Sequence, residues 1–213
     1  MLLRELRPAL VLLVVLSAIT GLVYPFAVTG IAQWVFPGAA NGSLVTRDGH
    51  VVGSALIGQD FSRPEYFHPR LSATTAPDPK DASKTIAAPY NANNSAGSNL
   101  GPDSKALVDR VTASVAALKA ENPGAVAQGL PVPAGLVTSS ASGLDPDISL
   151  AGAEYQVARI AAARHLDADK IEALIQANTQ GKLFGLLGVR RVNVLALNLA
   201  LDQLTGAHGN AAP

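Results

Sequence analysis

The sequence predicts an α+β architecture: one N-terminal transmembrane helix, then a single extracytoplasmic domain in which a small sheet packs with three or four helices. Three observations carry that expectation. No Asp, Glu, Lys or Arg occurs between Arg7 and Arg47. Beyond that gap, β-branched runs around Asp48-Gly49 give way to segments with apolar residues at helical spacing. The chain has 213 residues, so that setting an anchor aside leaves enough for one domain with a core.

The anchor comes first. Pro8 to Phe36 reads PALVLLVVLSAITGLVYPFAVTGIAQWVF. A bilayer core of ~30 Å needs about 20 apolar residues at 1.5 Å of rise each, and this run exceeds that. A cleaved signal peptide has an apolar core of only about 7–15 residues, whereas here the apolar character continues past Gly21 and no clean Ala-x-Ala site follows Ile19. A core helix of a soluble protein is shorter or amphipathic. The expected organisation is therefore a cytoplasmic N-terminus over residues 1–8, a span over 9–36, a small-residue linker over 37–42 and a soluble domain over 43–213.

Arg4 and Arg7 precede the span and nothing basic follows it until Arg47, so the positive-inside rule places the N-terminus in the cytoplasm and the domain outside. Within the span, Ser17, Thr20, Gly21 and Tyr24 fall at helical spacing on one face. Ser17 and Gly21 make a small-xxx-small pair that lets another helix approach in lipid, so these four are candidate partner contacts. Pro25 has no N–H for the Gly21 carbonyl, which predicts a kink there.

Composition narrows the function. Sixteen basic residues balance 16 acidic ones, against the basic surplus of a nucleic-acid binder. The absence of cysteine excludes disulfides, thiolate metal sites and cysteine nucleophiles.

After the linker, Asp48-Gly49 suits a type I′ turn and predicts a hairpin over roughly Ser43 to Ile57. Gly58 to Arg70, GQDFSRPEYFHPR, mixes aromatics with prolines and predicts no regular element. Ser72 to Pro102 is rich in Ala, Pro, Asn, Ser and Gly, the composition of a long loop. Asp103 then caps a helix with Leu107, Val108, Val111, Val115 and Leu118 inside, ended by Asn122-Pro123-Gly124. GLVT at 135–138 reads as a short apolar strand opening into a serine-rich loop. Ser149 caps a helix to about His165, with Ala153, Val157, Ile160 and Ala161 inward. Asp167 caps another, with Ile171, Leu174 and Ile175 inward. Gly181 to Gly188 reads as flexible, and Val192 to Leu195 as a strand running into a last helix.

Catalytic signatures are missing. No G-x-x-x-x-G-K-[ST] surrounds Lys182, no G-x-S-x-G elbow contains Ser140 or Ser142, and His50, His68, His165 and His208 share no metal-ligand spacing. Two stretches are more pointed than a generic domain requires. One is Ser98 to Pro102 after Tyr90-Asn91, where Asn99 suits a helix-entry loop; Tyr90, Asn91, Ser98 and Asn99 are further candidate partner contacts. The other is Thr138 to Pro146, with Gln156 downstream. Its hydroxyls, glycine and following helix N-terminus suit an anion, but the residues by themselves favour a serine-rich turn that caps the helix, since such caps are common.

GSALIGQDFSRPEYFHPRLSA, YN…S.GSNLGP, LVTSSASGLDPDIS…A..QVAR.A and VNVLALNLALD, in this order behind one span, resemble the C subunit of the bacterial Kdp potassium-transporting ATPase along nearly the whole chain. Arg70-Leu71-Ser72-Ala73 departs from the R-P-S-A usual there, Arg190 stands where a proline is common, and Asp147 where His or another polar residue is frequent. The resemblance implies a non-catalytic inner-membrane subunit of a high-affinity K+ importer. Its partners would be a channel-like potassium-binding subunit, a P-type catalytic subunit and a small single-span subunit, besides membrane lipid. ATP and Mg would sit on the catalytic partner, K+ would be the transported ion, and the chain would have no cofactor or metal of its own. The family is described as a catalytic chaperone that raises ATP affinity in that partner. By the same resemblance, Ser140, Ser142, Gly143 and Gln156 take the nucleotide-contact role, which an outward-facing domain opposes. A membrane-anchored envelope enzyme and a free binding protein are the alternatives from other classes.

Overall fold

The computed structural model describes residues 2–206. The chain falls into two compact units, Met1–Leu44 and Val45–Pro213, each described by itself.

The first unit is helical: α1 (Leu2–Ala18), a π turn (Ile19–Val23), α2 (Tyr24–Val35) and the short α3 (Pro37–Ala40). Arg4–Val35 forms one helical run of 32 residues that contains an 18-residue stretch of mean hydropathy 2.3, none of it buried, long and apolar enough to cross a membrane. At 1.5 Å per residue it extends about 48 Å, beyond a hydrocarbon core of about 30 Å. The disturbance expected at Pro25 takes the form of the π turn, in which the Tyr24 N–H donates to the Ile19 carbonyl. The helix widens ahead of the proline and continues. Thr20 Oγ1 donates to the Leu16 carbonyl at 2.7 Å, internal to the helix.

The second unit distributes its strands over three small sheets rather than one layer. β1 (Leu44–Arg47) and β2 (His50–Ser54) form the expected hairpin, with Asp48 and Gly49 at φ +50° and +79° in its turn. A second antiparallel hairpin, β3 (Thr75–Asp78) with β4 (Asp81–Ala87), lies inside the stretch expected to be a long loop. It was hidden because β4 is exposed along nearly its whole length and so carries no apolar/polar alternation.

α4 (Lys105–Glu121) begins one residue later than its expected cap implies, with Ser104 at the N-cap position, and α5 (Pro123–Ala127) follows at once. The apolar run at 135–138 is a helical turn, α6 (Ala134–Val137), not a strand. It buries Leu136 and Val137 side by side, which a half-buried strand with alternating faces would not do. β5 (Asp147–Ser149), β7 (Arg191–Asn193) and β6 (Thr179–Gln180) pair antiparallel in that spatial order, with Ile148 opposite Val192.

The helix expected over Ser149 to His165 is two pieces, α7 (Leu150–Glu154) and α8 (Val157–Arg164). The Ser149 hydroxyl caps the first by accepting from the Gly152 N–H at 3.1 Å. α9 (Ala168–Ala177) and α10 (Val194–Thr205) complete the unit. The core collects Phe61, Phe67, Ile160, Ile171, Ile175, Val192, Leu197 and Leu201, all at 3% exposure or less. It sits where α8, α9 and α10 meet the β5–β7–β6 sheet.

Candidate functional site

Residues 61–70 cannot form a ladder, because Pro64 and Pro69 bracket the two aromatics Tyr66 and Phe67. Their backbone groups nevertheless enter the core and need partners, and side chains supply them. Asn198 on α10 grips the Phe67 peptide, accepting from its N–H at 2.8 Å and donating to its carbonyl at 3.0 Å. Gln156, between α7 and α8, does the same for His68, at 2.7 and 3.1 Å. Both amides are fully buried. Arg159 donates to the carbonyls of Pro64 and of Tyr66, the latter at 3.0 Å, and Arg164 to that of Glu65 at 2.8 Å. Burial lowers the Arg159 pKa to about 10, which leaves it charged at neutral pH.

Gln156 also explains the broken helix. Its Nε2 donates to the Gly152 carbonyl at 3.0 Å, the acceptor its own N–H would take in an unbroken helix, and that N–H turns to Ala153 instead. Its Oε1 further accepts from Arg159 Nη2 at 2.7 Å. An amide has two donors and two acceptor lone pairs, so every position is taken.

Asp202 on α10 is the charged counterpart. Fully buried, it accepts from Arg164 at 2.8 Å, from Arg47 at 3.2 Å and from the Tyr66 hydroxyl at 3.3 Å. The Arg164 and Arg63 guanidinium groups lie 4.7 and 4.8 Å from the centre of the Tyr66 ring. Burial, with the carboxylate beside it, raises the phenol's pKa.

The serine-rich loop is held by its own hydroxyls and by its neighbours. Ser140 Oγ accepts from the Gly143 N–H at 2.9 Å and Ser142 Oγ from the Leu144 N–H at 3.1 Å. The Ser142 carbonyl takes the Ala96 N–H at 2.9 Å and the Ser95 hydroxyl at 3.0 Å. Gly143 has φ +68°, and a Cβ there would lie 2.5 Å from the Ala96 carbonyl oxygen and 2.6 Å from Thr74 Cγ2; only glycine fits. The Gly143 carbonyl accepts from Ser72 Oγ at 2.8 Å, and that oxygen also accepts from the Tyr90 N–H at 3.0 Å. Thr74 Oγ1 accepts from the Asn91 N–H at 3.1 Å. Thus the loops at 72–74, 88–98 and 139–145 are knotted together through two hydroxyls.

Depressions flank both Gln156 and the serine-rich loop. A cleft of about 320 Å³ is lined by His68, Arg70, Tyr90, Glu121 and Gln156 among others. In it His68 Nδ1 lies 3.5 Å from Glu121. Burial, then the Arg159 charge, lowers the His68 pKa, while burial raises that of the Tyr90 phenol above the ordinary range. A shallower depression of about 610 Å³ holds Ser140 and Ser142 beside Asp145. Arg70 walls both, bonded to Asp145 at 2.8 Å. Among the described residues no group of three or more His, Asp or Glu is placed to hold a metal ion; His208 lies outside them.

A family model, K+-transporting ATPase c chain, matches residues 6–203. The chain belongs to the KdpC family. It is 62% identical over 201 residues to the potassium-transporting ATPase KdpC subunit of Bradyrhizobium diazoefficiens, covering 94% of this chain and 98% of that one. The KdpC subunits of Methylorubrum extorquens (63% over 202 residues, 95% and 98%) and Methylobacterium nodulans (62% over 204 residues, 96% and 99%) are similarly alike.

Within this KdpC chain the candidate residues separate into distinct places. Ser17, Thr20, Gly21 and Tyr24 are exposed on the helix of the first unit. Tyr90 and Gln156 share the cleft, while Ser140 and Ser142 line the other depression and Gly143 is buried beneath it. Asn91 donates to the Thr75 carbonyl at 2.8 Å, Ser98 accepts from Arg110 at 3.3 Å, and Asn99 turns the chain at φ +50°. Sequence reasoning missed Ser72, Thr74, Arg159, Arg164, Asn198 and Asp202. For the last two a signal existed: a polar pair four residues apart inside the apolar LALNLALD, and so on one helix face.

Proposed function

We propose that this chain is a non-catalytic accessory subunit of a high-affinity, ATP-driven K+ import complex. It is held in the bacterial inner membrane by the helix Arg4–Val35, with its N-terminus in the cytoplasm and its larger unit outside. Membership of a family of potassium-transporting ATPase subunits supports the complex, and Arg4 and Arg7 ahead of the span support the orientation. Its partners are the channel-like potassium-binding subunit, the P-type catalytic subunit and the small single-span subunit. ATP and Mg belong to the catalytic partner and K+ is cargo.

The carrying observation is the saturation of Gln156. All four of its hydrogen-bonding positions are spent inside the protein and it is fully buried. The Ser140 and Ser142 hydroxyls likewise serve their own turn. That supports a structural task for the serine-rich loop in preference to contact with nucleotide. The exposed face around Ser17 and Gly21 is then a docking line for a partner helix.

Two measurements test this. An alkaline phosphatase fused after Pro213 should be active, which requires an outward C-terminus; activity only from a cytoplasmic reporter overturns the orientation. Removing residues 45–213 should abolish K+ uptake at micromolar K+ while the other subunits still reach the membrane. Undiminished uptake overturns the accessory role.

A further inference from the structure

Residues 181–190, between β6 and β7, form a loop whose chemistry is at odds with an exposed position. Phe184 and Leu186 are 85% and 82% exposed, and Leu183, Leu187 and Val189 are exposed with them. The loop is nevertheless shaped. Leu183 and Leu187 exchange backbone hydrogen bonds at 2.8 and 3.0 Å, and the Leu186 N–H donates to the Leu183 carbonyl at 3.1 Å. Phe184 and Gly185 lie at φ +53° and +73°, the signs of a type I′ turn. Gly185 suits that geometry. A bulky aromatic at positive φ does not, and nothing among the described residues of this unit covers the ring in return.

The loop is also one-signed: Lys182, Arg190 and Arg191 flank the apolar tip, with no carboxylate between Gly181 and Arg191. Arg190 is steadied by Gln176 at 2.9 Å and Arg191 by Asp147 at 2.8 Å, which fixes the cationic collar relative to the sheet.

We propose that this loop is a plug by which the chain docks on another subunit of the pump, its Phe184 and Leu186 entering an apolar socket rimmed by carboxylates. The inference rests on the reading of the chain as a pump subunit and names one of its contacts. A lipid surface would accept the same apolar residues and cations, but it asks only for buried area. A turn that holds an aromatic at positive φ between cross-bonded leucines presents a defined shape, and shape is what a protein socket reads. Aromatic and aliphatic anchors of this kind dominate the energy of protein interfaces.

The test uses the whole pump, purified through a tag on a different subunit. A photoreactive benzophenone side chain at position 184 should cross-link this chain to another subunit. Phe184→Asp with Leu186→Asp should cut the amount of chain recovered with the pump by about tenfold or more, the scale of a lost interface anchor, whereas Phe184→Leu should keep most of it. Because both residues are exposed, the melting curve of the doubly substituted chain should match that of the unsubstituted one, which separates lost docking from lost folding. Cross-linking to lipid alone, or recovery unchanged by the double substitution, overturns the plug and leaves the accessory role standing. Failure of the unsubstituted chain to co-purify overturns that role, and the plug with it.

Discussion

Replacing Gln156 by Ala distinguishes a structural amide from a nucleotide ligand. The substitution strips partners from the N–H and carbonyl of His68 and from the carbonyl of Gly152. Each buried backbone group left unsatisfied costs about 1–3 kcal/mol. His68 borders the 320 Å³ cleft, through which water can reach it, so the lower half of that range applies and the sum is roughly 3–6 kcal/mol. Against a domain stability of about 5–15 kcal/mol this is a large fraction. The assay is urea unfolding of the full chain in detergent, followed by circular dichroism. The midpoint should fall steeply, and any loss of pump activity should track the fraction unfolded. Stability within about 1 kcal/mol of the unsubstituted chain, together with a selectively raised KM for ATP in the complex, would refute the structural account and give Gln156 back to the nucleotide.

Two further predictions share that assay. Asp202→Asn leaves the Arg164 guanidinium buried without its counter-charge and should cost about 3–5 kcal/mol, as breaking one side of a buried ion pair does; a loss under 1 kcal/mol would show that Tyr66 and water already carry the site. His68 gives a pH dependence. Its folded pKa lies below the ordinary imidazole value because of burial and then Arg159, so the unfolded chain binds the proton more readily. Stability is therefore full above about pH 6.5 and declines as the pH falls below it, through the depressed folded value. His68→Gln should flatten that acid limb of the unfolding midpoint; an unchanged limb would assign it to other groups.

Much of the fold was legible because the signals were local. A charge-free run of more than 20 residues announces a span; Asp48-Gly49 announces a tight turn; Ile171 and Ile175 recur at helical spacing and are both fully buried. What escaped depends on distant partners. β4 carries Ser83, Lys84 and Thr85 toward solvent, so no pattern marks it. GLVT has strand-like residues but is too short to sustain one, and packing of Leu136 and Val137 decides for a helical turn. The split at Gln156 comes from a side chain reaching its own helix and a peptide 88 residues away at once, which no window of sequence contains. At the candidate site the Ser140–Gly143 turn and Gln156 stood out as residues, but their bonding, and with it the choice between ligand contact and scaffold, needed coordinates.

The hydrogen-bonded collar around residues 64–68 also sets a timetable for synthesis. Its grips arrive from far downstream: Gln156 is 88 residues beyond His68, Asn198 is 131 beyond Phe67, and Asp202 is 136 beyond Tyr66. At about 5–20 residues per second of translation, the wait for Asn198 alone is roughly 7–26 s. During that interval two aromatics and a run of unpaired peptide groups have left the ribosome with nothing to close on, while the leading helix is already available for insertion. Such non-local closure is slow and exposes sticky surface. This part of the fold is therefore completed only after α10 is made, and a ribosome stalled before Asn198 leaves a tethered, unfinished product for the cell's quality control.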